Sequence, residues 1–210
     1  MVTDLKLDPA RPLIICDADE VLLQFILGLE NFLERRDCYL DLTSFAIHGN
    51  VRRRDTGTAV ANDEVTRLIA AFFDSETRVM DVVPGAAAAL SELGERAQIV
   101  ILSNLPESAR GARAENLTSH GISYPVIAGS GPKGAIVKRL IENFAQPVVF
   151  VDDLPPHHTS VAAETPHVSR LHFVADPRLA KLLPPARDAH GRIDDWPSAK
   201  DWIAAMIDTP

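Results

Sequence analysis

The sequence has few cysteines and no apolar segment long enough to cross a membrane. Its two cysteines, Cys16 and Cys38, are too few for a disulfide framework and form no C-x-x-C pair, which favours a reducing, cytoplasmic location. The longest apolar stretches are far shorter than the roughly 20 residues of a membrane-spanning helix. Residues 1–12 contain acids and no apolar core, so they are not typical of a secretory signal peptide.

Positive charge is also scarce. The formal net charge is −8 and the isoelectric point is about 5.3. Such an acidic surface disfavours non-specific binding to nucleic acids and to membranes, so we expect neither as a partner. The remaining composition, 46% hydrophobic and 24% charged, is ordinary for a globular protein. A chain of 210 residues suits one core domain with a small insertion.

Apolar segments of strand length alternate with helical patterns along most of the chain. Continuously apolar strands separated by helices predict an α/β fold, a Rossmann-like three-layer αβα sandwich with a parallel sheet. The predicted strands are residues 13–16, 98–102, 124–128, 147–151 and 170–174. The predicted helices are residues 21–36, 62–73, 84–93, 106–120, 134–144 and 157–164, one that opens at Asp176-Pro177, and one that Ser198 caps and that runs to Ile207.

Residues 21–80 interrupt this alternation, because they contain helical patterns and no obvious strand. We therefore predict a core domain of residues 1–20 and 81–210 and a helical cap insertion of residues 21–80. In open α/β sheets, ligands bind at the carboxyl ends of the strands, and the cap is expected to cover that edge. The residues that follow each strand are therefore the most informative about function.

Acidic residues follow two of the predicted strands. Asp17 and Asp19 come after residues 13–16, and Asp152 and Asp153 come after residues 147–151. An aspartate after a strand can also be a helix N-cap, so the D-x-D pattern alone is weak. Adjacent acids at a buried edge repel each other unless a cation or hydrogen-bond donors compensate. Carboxylate oxygens suit Mg²⁺, so the pattern indicates a magnesium site.

Ser103, Asn104 and Lys133 follow other predicted strands. The Ser103 hydroxyl could bond a phosphate oxygen, or it could cap the next helix. Lys133 begins a predicted helix, where a cation is unfavourable unless it faces an anion or a cluster of carboxylates. The alternative is a solvent-exposed lysine. Asp194 and Asp195, in contrast, follow no predicted strand and are expected to form a solvated turn.

Together these pieces resemble the haloacid dehalogenase superfamily, in a phosphatase-type form with a small helical cap. The four matching motifs are DADEV from Asp17, Ser103 in VILSN, Lys133 in GPKG, and Asp152-Asp153 in VFVDD, in the family's order. The resemblance implies the haloacid dehalogenase-like fold and a Mg²⁺-dependent phosphatase acting on a small phosphorylated metabolite.

The resemblance also implies a role for each residue. Asp17 would be the nucleophile that forms an aspartyl-phosphate, and Asp19 the general acid and base. Mg²⁺ would be held by the Asp17 carboxylate, the Asp19 carbonyl, Asp152 and Asp153. The phosphate group would be bound by Ser103, Asn104 and Lys133.

Two features of the sequence favour a phosphatase over other reactions found in the family, and one residue departs from the family pattern. Dehalogenase members lack an acid at the Asp19 position, which favours phosphate transfer here. Phosphonate-cleaving members use a cap lysine, and residues 21–80 contain none. Glu20 stands where family members often carry glycine, and it could tune the metal or indicate lost activity.

Several alternatives stay open from the sequence. They are a phosphomutase, a catalytically silent binding or regulatory protein on the same fold, and a receiver-type phosphoacceptor domain, whose order of motifs fits less well. Arg52 and Arg54 could contribute to substrate specificity, or they could belong to a solvated charge run. His157 and His158 are expected at the surface start of a helix. The substrate and the oligomeric state are left undetermined.

Overall fold

Six parallel strands form the central sheet in a computed structural model that describes residues 5–208. The outermost ends of the predicted core, residues 1–4 and 209–210, lie outside the described residues. The strands are β1 (Leu13–Cys16), β4 (Gln98–Asn104), β5 (Val126–Gly129), β6 (Val148–Asp152), β7 (Ser169–His172) and β8 (Gly191–Arg192). Their order across the sheet is β5-β4-β1-β6-β7-β8, which places β1 at the centre.

Helices flank the sheet. They are α1 (Phe25–Glu34), α2 (Asn62–Glu76), α3 (Ala86–Gly94), α4 (Arg110–Ser119), α5 (Gly134–Leu140), α6 (Pro155–Glu164), α7 (Pro177–Ala180) and α8 (Trp196–Ile207). A short 3₁₀ turn, Glu107–Ala109, precedes α4. Among residues 5–208, no helix combines the length and apolar character needed to cross a membrane.

Alternate residues of β1 pack into two separate hydrophobic clusters. Leu13 and Ile15 belong to a cluster with residues of α5 and α6, and Ile14 and Cys16 belong to one with residues of α1, α3 and α8. Both faces of the strand are therefore covered by helices, which is why its sequence is continuously apolar. The predicted three-layer α/β fold is confirmed.

The register of β1 sets the position of the functional edge. Cys16 pairs with Ile101 in β4 on one side and with Val151 in β6 on the other. Because all three strands run parallel, Asp17 and Asp152 leave the sheet next to each other at its carboxyl edge.

Residues 21–80 contain two strands that the sequence did not reveal. β2 (Cys38–Leu40) and β3 (Val51–Arg53) pair as an antiparallel hairpin between α1 and α2. The prediction of a purely helical segment is therefore wrong, because strands of three residues are too short to show a periodic pattern. The assignment of this segment as a separate cap stays a prediction.

The C-terminal part differs from expectation in two places. β8 pairs with β7 as a short edge strand, so Asp194 and Asp195 do follow a strand. Asp195 accepts a hydrogen bond from the Ser198 amide at 2.9 Å and is the N-cap of α8, in place of Ser198. Asp176 caps α7 with Pro177 as its first residue, as predicted.

Candidate active site

Lys133 lies between two aspartates at the carboxyl edge of the sheet. Its Nζ donates a hydrogen bond to Asp152 Oδ2 at 2.7 Å and forms an ion pair with Asp17 Oδ1, also at 2.7 Å. The lysine side chain is completely buried. The next residue, Gly134, permits this placement because a Cβ there would lie 2.2 Å from the carbonyl oxygen of Ser160 in α6. The structure therefore places Lys133 against carboxylates and not in solvent.

Three buried carboxylates form a cluster that could hold a metal ion. One oxygen from each of Asp17, Asp152 and Asp153 lies within 4.8 Å of the other two. Burial, and then the charge of Asp152, raise the pKa of Asp153 well above its usual range. Burial also raises the pKa of Asp17, although Lys133 opposes the rise. One lysine cannot neutralise three carboxylates, so this all-oxygen set fits a hard divalent cation such as Mg²⁺.

Two buried histidines support the backbone of the acidic pair. His158 Nε2 lies 3.0 Å from the carbonyl oxygen of Asp152, and His172 Nε2 lies 2.8 Å from that of Asp153. Burial lowers the pKa of both histidines to about 4, so both are neutral at physiological pH. His172 Nδ1 accepts a hydrogen bond from the Ala186 amide, so its proton lies on Nε2 and points at the carbonyl. The expectation that His158 lies at the surface is wrong.

Asp19 is held by a residue that the sequence analysis missed. The Nη2 of Arg113 donates to Asp19 Oδ1 at 2.7 Å, and its Nη1 approaches the sulfur of Met80 at 3.6 Å. Burial raises the pKa of Asp19, and the Arg113 guanidinium opposes that rise. Arg113 lies one turn before the buried Leu117 on α4. An arginine on the apolar face of a helix was the available signal.

Ser103 and Asn104 both lie near these groups. Ser103 is completely buried, and its Oγ lies 3.5 Å from Asp19 Oδ2, the long limit of a hydrogen bond. It does not cap the following 3₁₀ turn, whose N-cap is Pro106. Asn104 donates from Nδ2 to the carbonyl of Gly131 at 3.0 Å and lies 3.3 Å from His157 Nε2. His157 is buried, contrary to the surface position expected.

A cavity of about 320 Å³ opens beside Asp17 and Asp19. Its remaining wall comes from Glu20, from α1, α2, α7 and from the connection between β2 and β3, with Asn104, Asp153, Leu154 and His157 on the side of the sheet. Arg52 and Arg54, predicted as candidates for substrate specificity, do not line it. Arg52 Nε lies 3.4 Å from Asp41 Oδ2, and Arg54 Nη2 lies 3.1 Å from Glu34 Oε1. The structure therefore does not bring these two arginines to the site.

Comparison with known proteins gives matches in structure only. No protein family profile and no curated protein matches the sequence. A hydrolase of the haloacid dehalogenase family from Deinococcus radiodurans, with bound phosphate and sodium, matches over 97% of this chain and 100% of its own, with a TM-score of 0.62 and 15% identity. A HAD-hydrolase from Bacillus subtilis, bound to magnesium, matches over 92% and 98%, with a TM-score of 0.63 and 13% identity. The L-2-haloacid dehalogenase from Xanthobacter autotrophicus matches over 92% and 98%, with a TM-score of 0.59 and 14% identity.

This chain has the haloacid dehalogenase-like fold. The likeness spans nearly the whole of each compared chain, so it includes most of residues 21–80 as well as the sheet. Because both hydrolases and a dehalogenase share the haloacid dehalogenase-like fold, the fold does not select the reaction, and the site residues must do so.

The Glu20 side chain connects two segments of the backbone in this haloacid dehalogenase-like fold. Its φ is 57°, in the left-handed region that favours glycine. Its Oε1 accepts a hydrogen bond from the Ile26 amide at 2.7 Å, and its Oε2 accepts one from the Asp176 amide at 2.9 Å. Burial raises its pKa to about 7. Glu20 thus joins the first turn of α1 to the segment before α7, and it lies outside the three-carboxylate cluster.

Proposed function

We propose that the protein is a Mg²⁺-dependent phosphatase that acts through an aspartyl-phosphate on Asp17. The observation that carries this proposal is the contact of Lys133 with both Asp17 and Asp152, beside Asp153, at the carboxyl edge of the sheet. This arrangement joins a buried nucleophile to a fixed positive charge. A carboxylate and a phosphate repel each other, so charge neutralisation is what the reaction requires most.

In the first step, a carboxylate oxygen of Asp17 attacks phosphorus and the bond to the leaving oxygen breaks. Lys133 holds Asp17 in place and balances charge on the phosphoryl oxygens, with Ser103 and Asn104 as further donors. Bound Mg²⁺, held by Asp17, the Asp19 carbonyl, Asp152 and Asp153, would supply additional positive charge to the phosphoryl group.

Asp19 would move the proton in both steps. Burial raises its pKa towards the range where a carboxyl can donate a proton to the leaving oxygen. In the second step, the Asp19 carboxylate takes a proton from the water that attacks phosphorus, the bond between phosphorus and the Asp17 oxygen breaks, and inorganic phosphate and the free Asp17 carboxylate result. The contacts with Arg113 and Ser103 fix its orientation for both transfers.

The compared structures support the phosphate and magnesium parts of this proposal, since one contains phosphate and another magnesium. The structure from Xanthobacter autotrophicus favours a different reaction, removal of halide from a 2-haloacid. Asp19 argues against that reaction here, because an acid at this position is needed for protonating an alcohol and not for releasing a halide ion.

The test is release of inorganic phosphate from acetyl phosphate and p-nitrophenyl phosphate. We expect activity with Mg²⁺, loss of activity with a chelator, and a loss of at least about a thousandfold in Asp17→Asn. Asp55→Asn, at an exposed position, is the matched control and should retain full activity. Activity that survives Asp17→Asn, or release of halide from 2-chloropropionate in place of phosphate, would contradict the proposal.

A further inference from the structure

The wall of the cavity that faces Asp17 and Asp19 is apolar. It includes Phe25 from α1, Phe73 from α2, and Leu42, Phe45 and Ile47 from the connection between β2 and β3. Phe25 and Phe73 also pack against each other, with ring centroids 6.0 Å apart. A substrate whose phosphate group reached Asp17 would therefore place its remaining part against aromatic and aliphatic side chains.

No lysine or arginine of residues 5–208 lines this cavity. The two cations beneath it, Lys133 and Arg113, are completely buried and are engaged by Asp17, Asp152 and Asp19. Four carboxylates, those of Asp17, Asp19, Glu20 and Asp153, contribute to the lining. The phosphate group would occupy the charge of the proposed Mg²⁺, so a second negative group on the substrate would find no cationic side chain in the lining and would meet groups of its own sign.

The apolar connection between β2 and β3 is held in place by Asn50. The buried Asn50 side chain donates from Nδ2 to the Ser44 carbonyl at 3.1 Å, to Ser44 Oγ at 2.9 Å and to the Ala46 carbonyl at 2.8 Å. The backbone N–H of Asn50 also donates a hydrogen bond to the Ile47 carbonyl at 3.1 Å. Because these bonds lie within the connection, Phe45 and Ile47 are presented to the cavity as a pre-formed surface.

A polar group packed against this apolar wall would lose its hydrogen bonds to water. Sugar hydroxyls packed against phenylalanine and leucine side chains would leave water without replacement partners, and each unpaired group is unfavourable. A hydrocarbon group would instead gain from removal of its surface from water. The volume of about 320 Å³ is at the small end for ligand pockets and suits a group about the size of one ring.

We propose that the substrate is the phosphate monoester of an uncharged alcohol that carries an aromatic ring or a branched hydrocarbon, with the hydrocarbon packed against Phe25, Phe45, Ile47 and Phe73. This inference rests on the proposed phosphatase function. In the reaction, the bond between phosphorus and the alcohol oxygen breaks, the alcohol leaves with a proton from Asp19, and water supplies the oxygen of the released phosphate.

The first experiment compares benzyl phosphate with glycerol 3-phosphate and phosphoglycolate in Mg²⁺. All three are esters of alcohols, so leaving-group reactivity is similar and the difference reports on the cavity. We expect kcat/KM for benzyl phosphate to be higher by about tenfold or more. Equal or lower kcat/KM for benzyl phosphate would overturn the assignment of substrate class and leave the phosphatase proposal standing.

Variants of residues on the hairpin test whether the preference for benzyl phosphate comes from the apolar wall of the cavity. Phe45→Ala should raise KM for benzyl phosphate by about fivefold to tenfold and should lower kcat/KM for acetyl phosphate by a clearly smaller factor, since acetyl phosphate has no ring to pack against Phe45. Tyr39→Ala, an exposed aromatic on the same hairpin that does not line the cavity, should change neither. Ile47→Lys should reduce the preference for benzyl phosphate and increase the use of phosphoglycolate. Equal effects of Phe45→Ala on benzyl phosphate and acetyl phosphate would contradict the assignment.

A binding measurement separates this inference from the proposed reaction. Calorimetric titration with benzylphosphonate and with methylphosphonate, in Mg²⁺, requires no catalysis. Benzylphosphonate should bind about tenfold more tightly, and Phe45→Ala should abolish the difference. If no ester is hydrolysed but this difference is found, the phosphatase proposal fails and the binding site stands. If the two phosphonates bind equally, the apolar site is wrong whatever the activity.

Discussion

Arg113 Nη2 lies 2.7 Å from Asp19 Oδ1, and the Arg113 side chain is completely buried while Asp19 is 19% exposed. The guanidinium thus approaches the carboxylate from the interior and leaves its other side towards the cavity, where Asp19 contributes to the lining. Among the groups facing Asp19, it is the one that most favours the charged form of this carboxyl. Arg113 therefore orients the Asp19 carboxylate and favours its charged form against the effect of burial.

We expect Arg113→Met to lower kcat for phosphate release by about tenfold or more and to reduce stability by about 3 kcal/mol, because a buried charge pair is broken. Loss of the guanidinium should also raise the pKa of Asp19. If protonated Asp19 is the acid, the alkaline limb of the kcat–pH profile should then move to higher pH.

Arg113→Lys keeps the charge and should restore part of the activity. Arg110→Met is the control on the same helix, since Arg110 is exposed and pairs with Glu107, and it should change stability by less than about 0.5 kcal/mol. A profile that does not move in Arg113→Met would contradict a role through Asp19.

Removal of the Lys133 side-chain charge should make the stability of the protein depend more strongly on a bound metal ion. In Lys133→Met, the carboxylates of Asp17, Asp152 and Asp153 lose their fixed counter-charge, so the variant without metal should be less stable by about 3 kcal/mol. The same excess of negative charge should increase the rise in melting temperature on addition of Mg²⁺. Lys138→Met, at an exposed position of α5, is the control for both measurements. An equal Mg²⁺-induced rise in wild type and Lys133→Met would count against a shared metal site.

Binding of Mg²⁺ should weaken as the pH falls. Burial raises the pKa values of Asp17 and Asp153, and their protons must leave before the oxygens can ligate a cation. Affinity measured by calorimetry should therefore increase as the pH is raised, with protons released on binding. Asp153→Asn should reduce both the affinity and the number of protons released. A pH-independent affinity would show that these carboxyls are not the ligands.

Because the pKa of the buried Glu20 carboxyl is raised, we expect the free energy of unfolding to depend on pH. Its pKa is about 7 in the folded protein and near 4.5 as an ordinary carboxyl, so the folded state holds this proton more tightly. The stabilisation is complete below about pH 4.5 and is lost as the pH rises towards about 7, with a total change of about 3 kcal/mol. In Glu20→Gln, the free energy of unfolding, measured by chemical denaturation at several pH values, should not show this decrease between about pH 4.5 and about pH 7. Glu142→Gln, at an exposed position, is the control and should show the same decrease as the wild type. An equal pH dependence of the unfolding free energy in wild type and Glu20→Gln would contradict the role of Glu20.

The sheet and its functional edge could be predicted because their signals are local in sequence. Four apolar residues before Asp17 and five before Asp152 identify buried parallel strands. Once the strands are parallel, their carboxyl ends must lie at one edge, so the proximity of the two aspartates follows from topology alone. The same reasoning places Ser103 nearby.

The features that were missed depend on contacts between distant segments. The hairpin of β2 and β3 has too few residues for a pattern, and Arg113 finds Asp19 only when α4 packs on the sheet. The burial of His158 and His172 follows from α6 and β7 meeting beneath the acidic pair. Glu20 was a conspicuous departure in sequence, but its two backbone hydrogen bonds connect residues that are far apart along the chain.

Cys16, the residue before Asp17, has a consequence for handling the protein. Its thiol is completely buried, and burial, then the charge of Asp17, raise its pKa well above the usual range. Cys38 is also buried. Alkylating agents and mild oxidants attack the thiolate of an accessible cysteine, and the folded chain presents none at either position. Iodoacetamide should therefore leave the folded protein unmodified, and both thiols should react once it is denatured.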